Sequence, residues 1–296
     1  MSAVVTERHS QGVVQTARAF GSLVKIQHTV FSAPFVALGV ALAADGVPNM
    51  SVIVLVTLAL VAARTAAMAF NRIVDIAYDS NNPRTSNREL VTGVLSLRQA
   101  AALTTVSAIL FVVFANLLNR TCGLLAVPAL IVILGYSYTK RVTSLSHLAL
   151  GLALGISPGA GWLAVGAPLT LTPFLLGAIV FFWVAGFDVL YSLADTEFDS
   201  AHKLHSIPAA LGKRRAITLS RVFHVMCFGL MVGLFLHLQT ALWTLSFLLP
   251  TLILFVRQHT LVSADDLSRL DVAFFTVNGW IGFLYCGAVG VAYFMR

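Results

Sequence analysis

The sequence is a succession of apolar stretches, each long enough to cross a membrane. A helix spans the hydrocarbon core of a bilayer with about 20 apolar residues. Only 10% of the 296 residues are charged and the mean hydropathy is +0.88, whereas about 25% of the residues of a soluble domain are charged. We therefore predict an all-α membrane protein with nine spans. These are Leu23–Ala43, Val52–Asn71, Ala101–Leu118, Gly123–Thr139, Leu148–Val165, Leu171–Leu193, Leu219–Leu236, Ala241–Val256 and Phe274–Met295.

The basic residues are distributed unequally between the two ends of these spans. If nine spans alternate in direction, Arg120 and Arg296 fall on one side of the membrane, and nearly all other Lys and Arg residues fall on the opposite side. Loops rich in Lys and Arg stay in the cytoplasm, so the second side is predicted to be cytoplasmic. The first span lacks a cleavage site for a signal peptidase, and residues 1–20 are therefore predicted to form a cytoplasmic tail. A net charge of +7 does not indicate nucleic-acid binding, because the charges are dispersed among loops.

Two sets of polar side chains stand at the cytoplasmic ends of predicted spans. The first ladder, at the end of the second span, consists of residues spaced four apart: Asn71, Asp75 and Asp79. Residues at this spacing share one face of a helix. The second ladder closes the sixth span, and its spacing again predicts one helical face. Its members are Asp188, Tyr191, Asp195 and Asp199.

The two ladders together indicate a site for divalent cations and a diphosphate. Carboxylates beside hydrocarbon are costly and usually have a function or a partner. Mg²⁺ takes oxygen ligands, typically one or two carboxylates together with phosphate oxygens. Nearby Lys and Arg residues would meet the remaining phosphate charge. A phenylalanine-rich region below the site is predicted to receive an isoprenoid tail, and it comprises Phe31, Phe35, Phe70, Phe181, Phe182 and Phe187.

Two other interpretations of the ladders remain open. The acids could be solvated helix ends that pair with the loop Lys and Arg residues, although matching spacing in two ladders disfavours this. The chain could also be a carboxylate-based membrane transporter. Transporter sites usually lie near the bilayer midplane, whereas these acids gather at one interface of the membrane.

Three motifs in sequence order resemble the UbiA superfamily of intramembrane aromatic prenyltransferases. The first signature of that family, Asn-x-x-x-Asp-x-x-x-Asp, fits the first ladder and continues into the run RTSNRELVTG that begins at Arg84. The second signature, Asp-x-x-Tyr-x-x-x-Asp-x-x-x-Asp, fits the second ladder. A third motif, Tyr-x-x-x-Lys, fits Tyr136 and Lys140. The resemblance covers the chain from about residue 20 to its end.

The resemblance implies a fold and a set of roles. The fold is a nine-helix bundle around a central cavity, formed by one transmembrane prenyltransferase domain over residues 21–296. Both signatures would hold Mg²⁺ and bind a polyprenyl diphosphate. The residues on the metal side would be Asn71, Asp75, Asp195 and Asp199, with Asp79 supporting them. The diphosphate would be held by Lys140, Arg84 and Arg88, with Tyr136, Lys25 and Lys203 as further candidates.

The reacting end and the acceptor are less tightly defined. By resemblance, Asp188 and Tyr191 would face the reacting carbon or the acceptor, where Asp188 would steady the cation, take the ring proton or support other ligands. Arg64 lies on nearly the same face as Asn71. It is predicted either to bind the carboxylate of an acidic acceptor or to pair with a buried polar group.

The resemblance leaves two aromatic acceptors open. The run from Asn87 to Leu90 resembles enzymes that act on 4-hydroxybenzoate in quinone biosynthesis. His28 and the run from Leu204 to Pro208 resemble a branch that acts on 1,4-dihydroxy-6-naphthoate in menaquinone formation. Arg72 stands where the 4-hydroxybenzoate enzymes commonly have Asp. The expected location is the plasma membrane, in bacteria the inner membrane, and no obligate protein partner is predicted.

Overall fold

The computed structural model describes residues 20–23 and 29–296, which form helices and turns without a β-strand. Two residues singled out in the sequence, Lys25 and His28, lie outside the described residues. The α-helices are α1 (Thr29–Ala44), α2 (Met50–Asp79), α3 (Leu97–Leu118), α4 (Arg120–Gly135), α5 (Ser146–Ala164), α6 (Leu171–Tyr191), α7 (Thr196–Ala201), α8 (Ile207–Leu211), α9 (Lys213–His237), α10 (Leu249–Thr260) and α11 (Asn278–Phe294). Shorter 3₁₀ segments cover Tyr136–Arg141, Ser192–Asp195 and Leu242–Leu248, and a π-helical turn covers Val272–Val277.

Seven helical segments in the described part of the chain are long and apolar enough to cross a membrane. They correspond to seven of the nine predicted spans. The eighth predicted span coincides instead with the 12-residue helix α10, and the first overlaps α1, which is described from Thr29 onward. Helix α10 begins only at Leu249, where Pro250 stands in its first turn and the 3₁₀ segment precedes it. Proline has no N–H to donate and suits a helix start, which explains why the eighth span is divided here.

Helix α2 is longer than the hydrocarbon core of a bilayer is thick, and the first ladder lies on its last turns. Its 30 residues correspond to about 45 Å at 1.5 Å per residue, against a hydrocarbon thickness of about 30 Å. The predicted span ended at Asn71, but the helix continues to Asp79. The helix is thus longer than a span requires, and its last turns carry the polar side chains of the first ladder.

Helix α6 is the central element of the core. It packs against α5 on one side and α9 on another, while α1 contacts both α5 and α11. Trp183 of α6, Phe35 of α1 and Tyr285 of α11 are fully buried in one hydrophobic cluster. By contrast, α3 and α4 expose many large apolar side chains, as expected for helices that face lipid.

The glycines of α5 allow its neighbours to approach closely. A Cβ at Gly151 would lie 2.6 Å from the carbonyl oxygen of Phe181, and a Cβ at Gly161 would lie 2.5 Å from that of Val36. No larger residue fits these contacts without movement of the backbone. Pro158 lies inside this continuous helix.

The second ladder does not lie on one face of one α-helix, and that prediction was wrong. Helix α6 ends at Tyr191, and a 3₁₀ segment of four residues leads through Asp195 into the short helix α7. A 3₁₀ helix turns about 120° per residue instead of about 100°. The change of pitch shifts Asp195 and Asp199 in angle relative to Asp188.

The packing also corrects the prediction that a phenylalanine-rich region receives the isoprenoid tail. Phe35 and Phe187 are 0% and 4% exposed and belong to the central core cluster, so they do not line a chamber for a lipid chain. Phe181 and Phe182 pack edge-to-face at 4.9 Å, and Phe70 contacts Tyr138. The side chain of Phe31 lies outside the described residues.

Candidate functional site

A polar cavity of about 240 Å³ lies between the two ladders. The end of α2, the turns at 80–96, the 3₁₀ segment Tyr136–Arg141, the start of α5 and the α6–α7 connection all contribute to its wall. Both ladders therefore reach the same end of the helical bundle. The predicted site residues that line the cavity are Asn71, Asp75, Asp79, Arg84, Arg88, Tyr136, Lys140, Asp188, Tyr191, Asp195 and Asp199.

The first ladder is arranged by the regular geometry of α2. Asn71 donates a hydrogen bond of 2.9 Å to Asp75, one helical turn further on. The other carboxylate oxygen of Asp75 lies 3.2 Å from Arg141. The Arg141 guanidinium also stacks over the rings of Tyr78 and Tyr138, each at 5.2 Å. Asp75 is thus held by one partner within its helix and one outside it.

The turns after α2 carry two arginines back to the acids. Arg84 binds both carboxylate oxygens of Asp195, and Asn82 donates a further hydrogen bond of 3.0 Å to the same group. Burial alone would lower the pKa of Arg84, but the hydrogen bond and charge of Asp195 outweigh it and raise the pKa above its usual value. Arg84 therefore stays protonated. Its remaining guanidinium nitrogen donates to the Tyr191 hydroxyl at 3.0 Å.

Asp79, the last residue of α2, holds the same turns through contacts with Arg88 and Thr85. One guanidinium nitrogen of Arg88 lies 2.6 Å and 2.5 Å from its two carboxylate oxygens. The hydroxyl of Thr85 donates to the backbone carbonyl of Asp79 at 3.3 Å. Asp79 is only 6% exposed, so its charge requires a close partner. Asp79 therefore orders the turns after α2 through these contacts.

The second ladder is bound by side chains from distant parts of the sequence. Asp195 is paired with Arg84, and Asp199 lies 3.4 Å from Lys140 in the Tyr-x-x-x-Lys motif. Tyr191 stacks on Phe274 with ring centroids 4.0 Å apart, and Phe274 belongs to the π-helical turn. These contacts hold the ladder in place although it crosses a helix break.

Asp188 lies about two turns earlier on α6 and has a different kind of partner. Its carboxylate is 2.7 Å from Nδ1 of His147. The side chain of Asp188 is 21% exposed, whereas that of His147 is fully buried. Nearby, the hydroxyls of Ser137 and Ser146 line the cavity, are buried, and have no hydrogen-bond partner among the described residues.

The acidic side chains of the cavity are close to balanced by basic ones. Five Asp residues line it together with four Lys or Arg residues, and each of the four basic groups is paired with one carboxylate. In the described part of the chain, no three acidic, His or Cys side chains surround a single point as ligands of one metal ion. The donor chemistry nevertheless suits Mg²⁺, which takes hard oxygen ligands and usually completes its shell with phosphate oxygens and water.

Three predicted candidates do not reach the cavity or fall outside the description. Lys203 is exposed, adopts a positive φ of 55°, and does not line the cavity. Arg64 lies inside α2 with its Nε buried and unpartnered among the described residues, and it does not line the cavity either. Lys25 lies in the part of the chain that is not described.

Sequence reasoning missed three residues that the structure brings to the site: Arg141, Asn82 and His147. Arg141 directly follows the lysine of the third motif, and Asn82 stands between the first ladder and its arginines. Proximity in the sequence could have indicated both. His147 is separated from Asp188 by 41 positions, and its only signal was a histidine at the start of an apolar span.

The chain is similar to known proteins over most of its length. Residues 32–286 match the UbiA prenyltransferase family. A 4-hydroxybenzoate octaprenyltransferase of Nitrosomonas eutropha is 30% identical over 243 residues, which cover 81% of this chain and 84% of that protein. The corresponding enzyme of Photobacterium profundum is 27% identical over 281 residues and covers 94% of both chains.

Solved structures with the same fold were also found. A UbiA homolog from Aeropyrum pernix K1 superposes with a TM-score of 0.80 at 32% identity, over 90% of this chain and 98% of the other. A UbiA homolog from Archaeoglobus fulgidus, solved with GPP and Mg²⁺ bound, superposes with a TM-score of 0.73 at 20% identity. That superposition covers 94% of this chain and 100% of the other.

Proposed function

The chain belongs to the UbiA prenyltransferase family, and we propose that it transfers a polyprenyl chain from a polyprenyl diphosphate to a hydroxylated aromatic acid. Curated relatives named 4-hydroxybenzoate octaprenyltransferase support this activity. We assign the reaction to a single domain of residues 21–296, preceded by a tail of residues 1–20. The strong bias of basic residues supports an active site on the cytoplasmic side of the plasma membrane, in bacteria the inner membrane.

The observation that carries this proposal is the convergence of both carboxylate ladders on one cavity with Lys and Arg side chains between them. A transporter site is disfavoured, because the acids lie at one end of the bundle and the family is one of transferases. Acids and bases in alternation suit a ligand that is itself strongly charged. A diphosphate with divalent cations has that character.

The ion pairs indicate how such a ligand would enter. In the structure, Arg84, Arg88, Lys140 and Arg141 each neutralise one carboxylate. When a cation–diphosphate complex binds, the carboxylates can turn to the cations and the basic groups to the phosphate oxygens. The total charge of the site then changes little, because the charges of the complex nearly cancel. The ion pairs of the ligand-free site therefore hold the carboxylates in position before the ligand binds.

The residues suited to face the cations are Asn71, Asp75, Asp195 and Asp199, and those suited to face the diphosphate are Arg84, Arg88, Lys140 and Arg141. Mg²⁺, when bound, would act as a Lewis acid that stabilises charge on the departing diphosphate. The Archaeoglobus homolog solved with GPP and Mg²⁺ supports this cofactor.

The transfer itself would take place deeper, beside Asp188 and Tyr191. The allylic C–O bond breaks and the diphosphate leaves with the bonding electrons. An electron-rich aromatic carbon forms the new C–C bond, and the ring proton passes to a base. Asp188 is a carboxylate at the required depth, and the Tyr191 ring next to it offers a π face to a developing cation. Arg84 joins the two ends, because it contacts Tyr191 and Asp195 together.

An acceptor of the 4-hydroxybenzoate type is favoured by the relatives. The unpartnered hydroxyls of Ser137 and Ser146 could bind its polar groups, and Arg64 within α2 is a candidate partner for its carboxylate if the acceptor reaches beyond the described cavity. A second candidate is 1,4-dihydroxy-6-naphthoate. It is supported by the run from Leu204 to Pro208, which resembles the branch that acts on this acceptor, and Arg72 departs from the Asp common in 4-hydroxybenzoate enzymes.

Purified protein tests the proposal directly. We expect prenyl transfer from a polyprenyl diphosphate to 4-hydroxybenzoate in the presence of Mg²⁺, and none after chelation with EDTA. A parallel assay with 1,4-dihydroxy-6-naphthoate distinguishes the acceptors. Absence of transfer to both acceptors, in protein shown to be folded, would contradict the proposed function.

A further inference from the structure

His147 is a fully buried polar side chain beside the cavity. It lies in the first turn of α5 and is 0% exposed. Both of its ring nitrogens have partners: Nδ1 lies 2.7 Å from Asp188 Oδ2, and Nε2 lies 3.3 Å from the backbone nitrogen of Ile207.

The partner at Nε2 decides where the ring proton is. A backbone N–H can only donate, so Nε2 must present its lone pair to Ile207. A neutral imidazole that accepts at Nε2 carries its proton on Nδ1. Nδ1 therefore donates to the Asp188 carboxylate, which lies 2.7 Å away on that side.

Asp188 differs from the other four acids of the cavity in this respect. Each of those is paired with Lys or Arg, whereas in the described part of the chain Asp188 has no partner of that kind and is bound by His147. A hydrogen bond to one oxygen fixes the rotation of the carboxylate. It also leaves the other oxygen free of a competing cation, as a proton acceptor requires.

Ile207 is itself part of a strap that spans the site. In residues 204–207, the Leu204 N–H donates to the carbonyl of Asp199 at 2.8 Å, and the His205 N–H donates to the carbonyl of Lys140 at 2.7 Å. The Ile207 N–H then reaches His147. The strap thus connects the segments that carry Asp199 and Lys140 to the histidine that contacts Asp188.

We propose that His147 is a positioning residue, which fixes Asp188 by donating from Nδ1 because the strap residue Ile207 holds its Nε2 as an acceptor. This role rests on the proposed function, in which Asp188 faces the reacting carbon. In this role, the strap couples the position of Lys140 and Asp199 at the diphosphate end of the cavity to the orientation of Asp188 at the reacting end.

Kinetics of three variants test the role. In His147→Leu both hydrogen bonds are lost, and we expect kcat to fall by about 10- to 100-fold, a part of the usual contribution of a positioned base. The KM for the prenyl diphosphate should stay within about twofold, because the diphosphate-side ion pairs do not involve His147. His147→Asn keeps a donor near the Nδ1 position and should retain several-fold more activity than His147→Leu. The matched control is His237→Asn, a histidine bonded to Thr172 far along the chain, which should behave as wild type.

A double-mutant cycle separates positioning from general packing. If His147 acts through Asp188, then adding His147→Leu to Asp188→Asn should lower kcat by less than about twofold further. Losses that multiply in the double variant, or equal losses in His147→Leu and His147→Asn together with a raised KM for the diphosphate, would overturn the proposal.

The tautomer can be measured without any activity. We expect ¹⁵N NMR of histidine-labelled protein in liposomes, assigned with His147→Asn, to show His147 protonated at Nδ1 only. A ring protonated at Nε2 would overturn the proposal even in an active enzyme. If wild-type protein transfers no prenyl group, the proposed function fails, while this measurement still decides how His147 is held.

Discussion

The ladder on α2 lies on one uninterrupted helix, whereas the ladder after α6 crosses from an α-helix through a 3₁₀ segment into a short helix. Asp75 finds a partner within its own helix, in Asn71. Asp195 and Asp199 find theirs 111 and 59 positions away. Asp75 also pairs with Arg141, 66 positions away. The first ladder is thus held partly by helical periodicity, whereas Asp195 and Asp199 are held by partners from distant segments.

The difference extends to burial. Asp195 and Asp199 have side chains that are 9% and 2% exposed, while the side chain of Asp75 is 28% exposed. A buried carboxylate is tolerated only with close partners, and Asp195 has both Arg84 and Asn82. The second ladder therefore depends on its partners, as does Asp79 at the end of the first ladder, whereas Asp75 depends on them less.

The largest effect is expected from removing one acid of either ladder. Asp75→Ala and Asp195→Ala should each lower kcat/KM for prenyl transfer by about 10³-fold, since loss of a metal-side carboxylate removes several kcal/mol of stabilisation of the departing charge. Steady-state assays with Mg²⁺ measure this, and the exposed Asp265→Ala is the control. Near-normal activity in either variant would refute its place on the metal side.

The third motif offers a sharper comparison of the two ladders, because Lys140 binds the second and Arg141 the first. Lys140→Ala and Arg141→Ala should each raise the KM for the prenyl diphosphate by about 10-fold, as expected for loss of one charged contact to phosphate. Lys213→Ala, which removes a lysine paired with the exposed Glu197, serves as the matched control. An unchanged KM in Lys140→Ala would remove that residue from the head-group site.

The stability of the ligand-free protein should respond unequally at the two ladders. Asn82→Ala leaves the buried Asp195 with one donor fewer and should lower the free energy of unfolding by about 1–3 kcal/mol. Asn71→Ala, beside the more exposed Asp75, should have a smaller effect. Thermal unfolding in detergent compares the two variants, and equal losses would show that burial does not distinguish the ladders.

A smaller effect is expected at Tyr191. Tyr191→Phe keeps the ring stacked on Phe274 and loses only the hydrogen bond from Arg84, so kcat should fall about fivefold, in line with a net hydrogen-bond contribution near 1 kcal/mol. Tyr191→Leu also loses the aromatic face and should be about tenfold less active than Tyr191→Phe. Equal activity of the two variants would show that the ring has no role near the reacting carbon.

The sequence predicts the first ladder well and the second only in part, for a physical reason. Spacings of four identify one face wherever the helix is regular, as it is through Asn71, Asp75 and Asp79. Spacing carries no mark of a change to 3₁₀ geometry, so the break after Tyr191 was missed. The sequence also predicts that the two ladders meet. The bias of Lys and Arg among the loops places the ends of both spans on the same side of the membrane.

Long-range partners and packing were harder to predict. The contact between His147 and Asp188 depends on how α5 packs on α6, where Gly151 lets the helices approach. Phe35 and Phe187 are as apolar as any lipid-facing residue, so hydropathy could not distinguish core packing from a tail chamber. The short helix α10 likewise depends on tertiary context more than on composition.

The central claim is that the two ladders form a single metal–diphosphate site, and binding measures it most directly. Mg²⁺-dependent binding of a non-reactive prenyl thiodiphosphate would be followed by titration calorimetry for wild type, Asp75→Asn, Asp195→Asn and the double variant. If the acids share one site, each single variant should lose most of the Mg²⁺-dependent affinity, and the double variant should lose little more. Independent losses that add in free energy, or full Mg²⁺-dependent binding in either single variant, would contradict the claim.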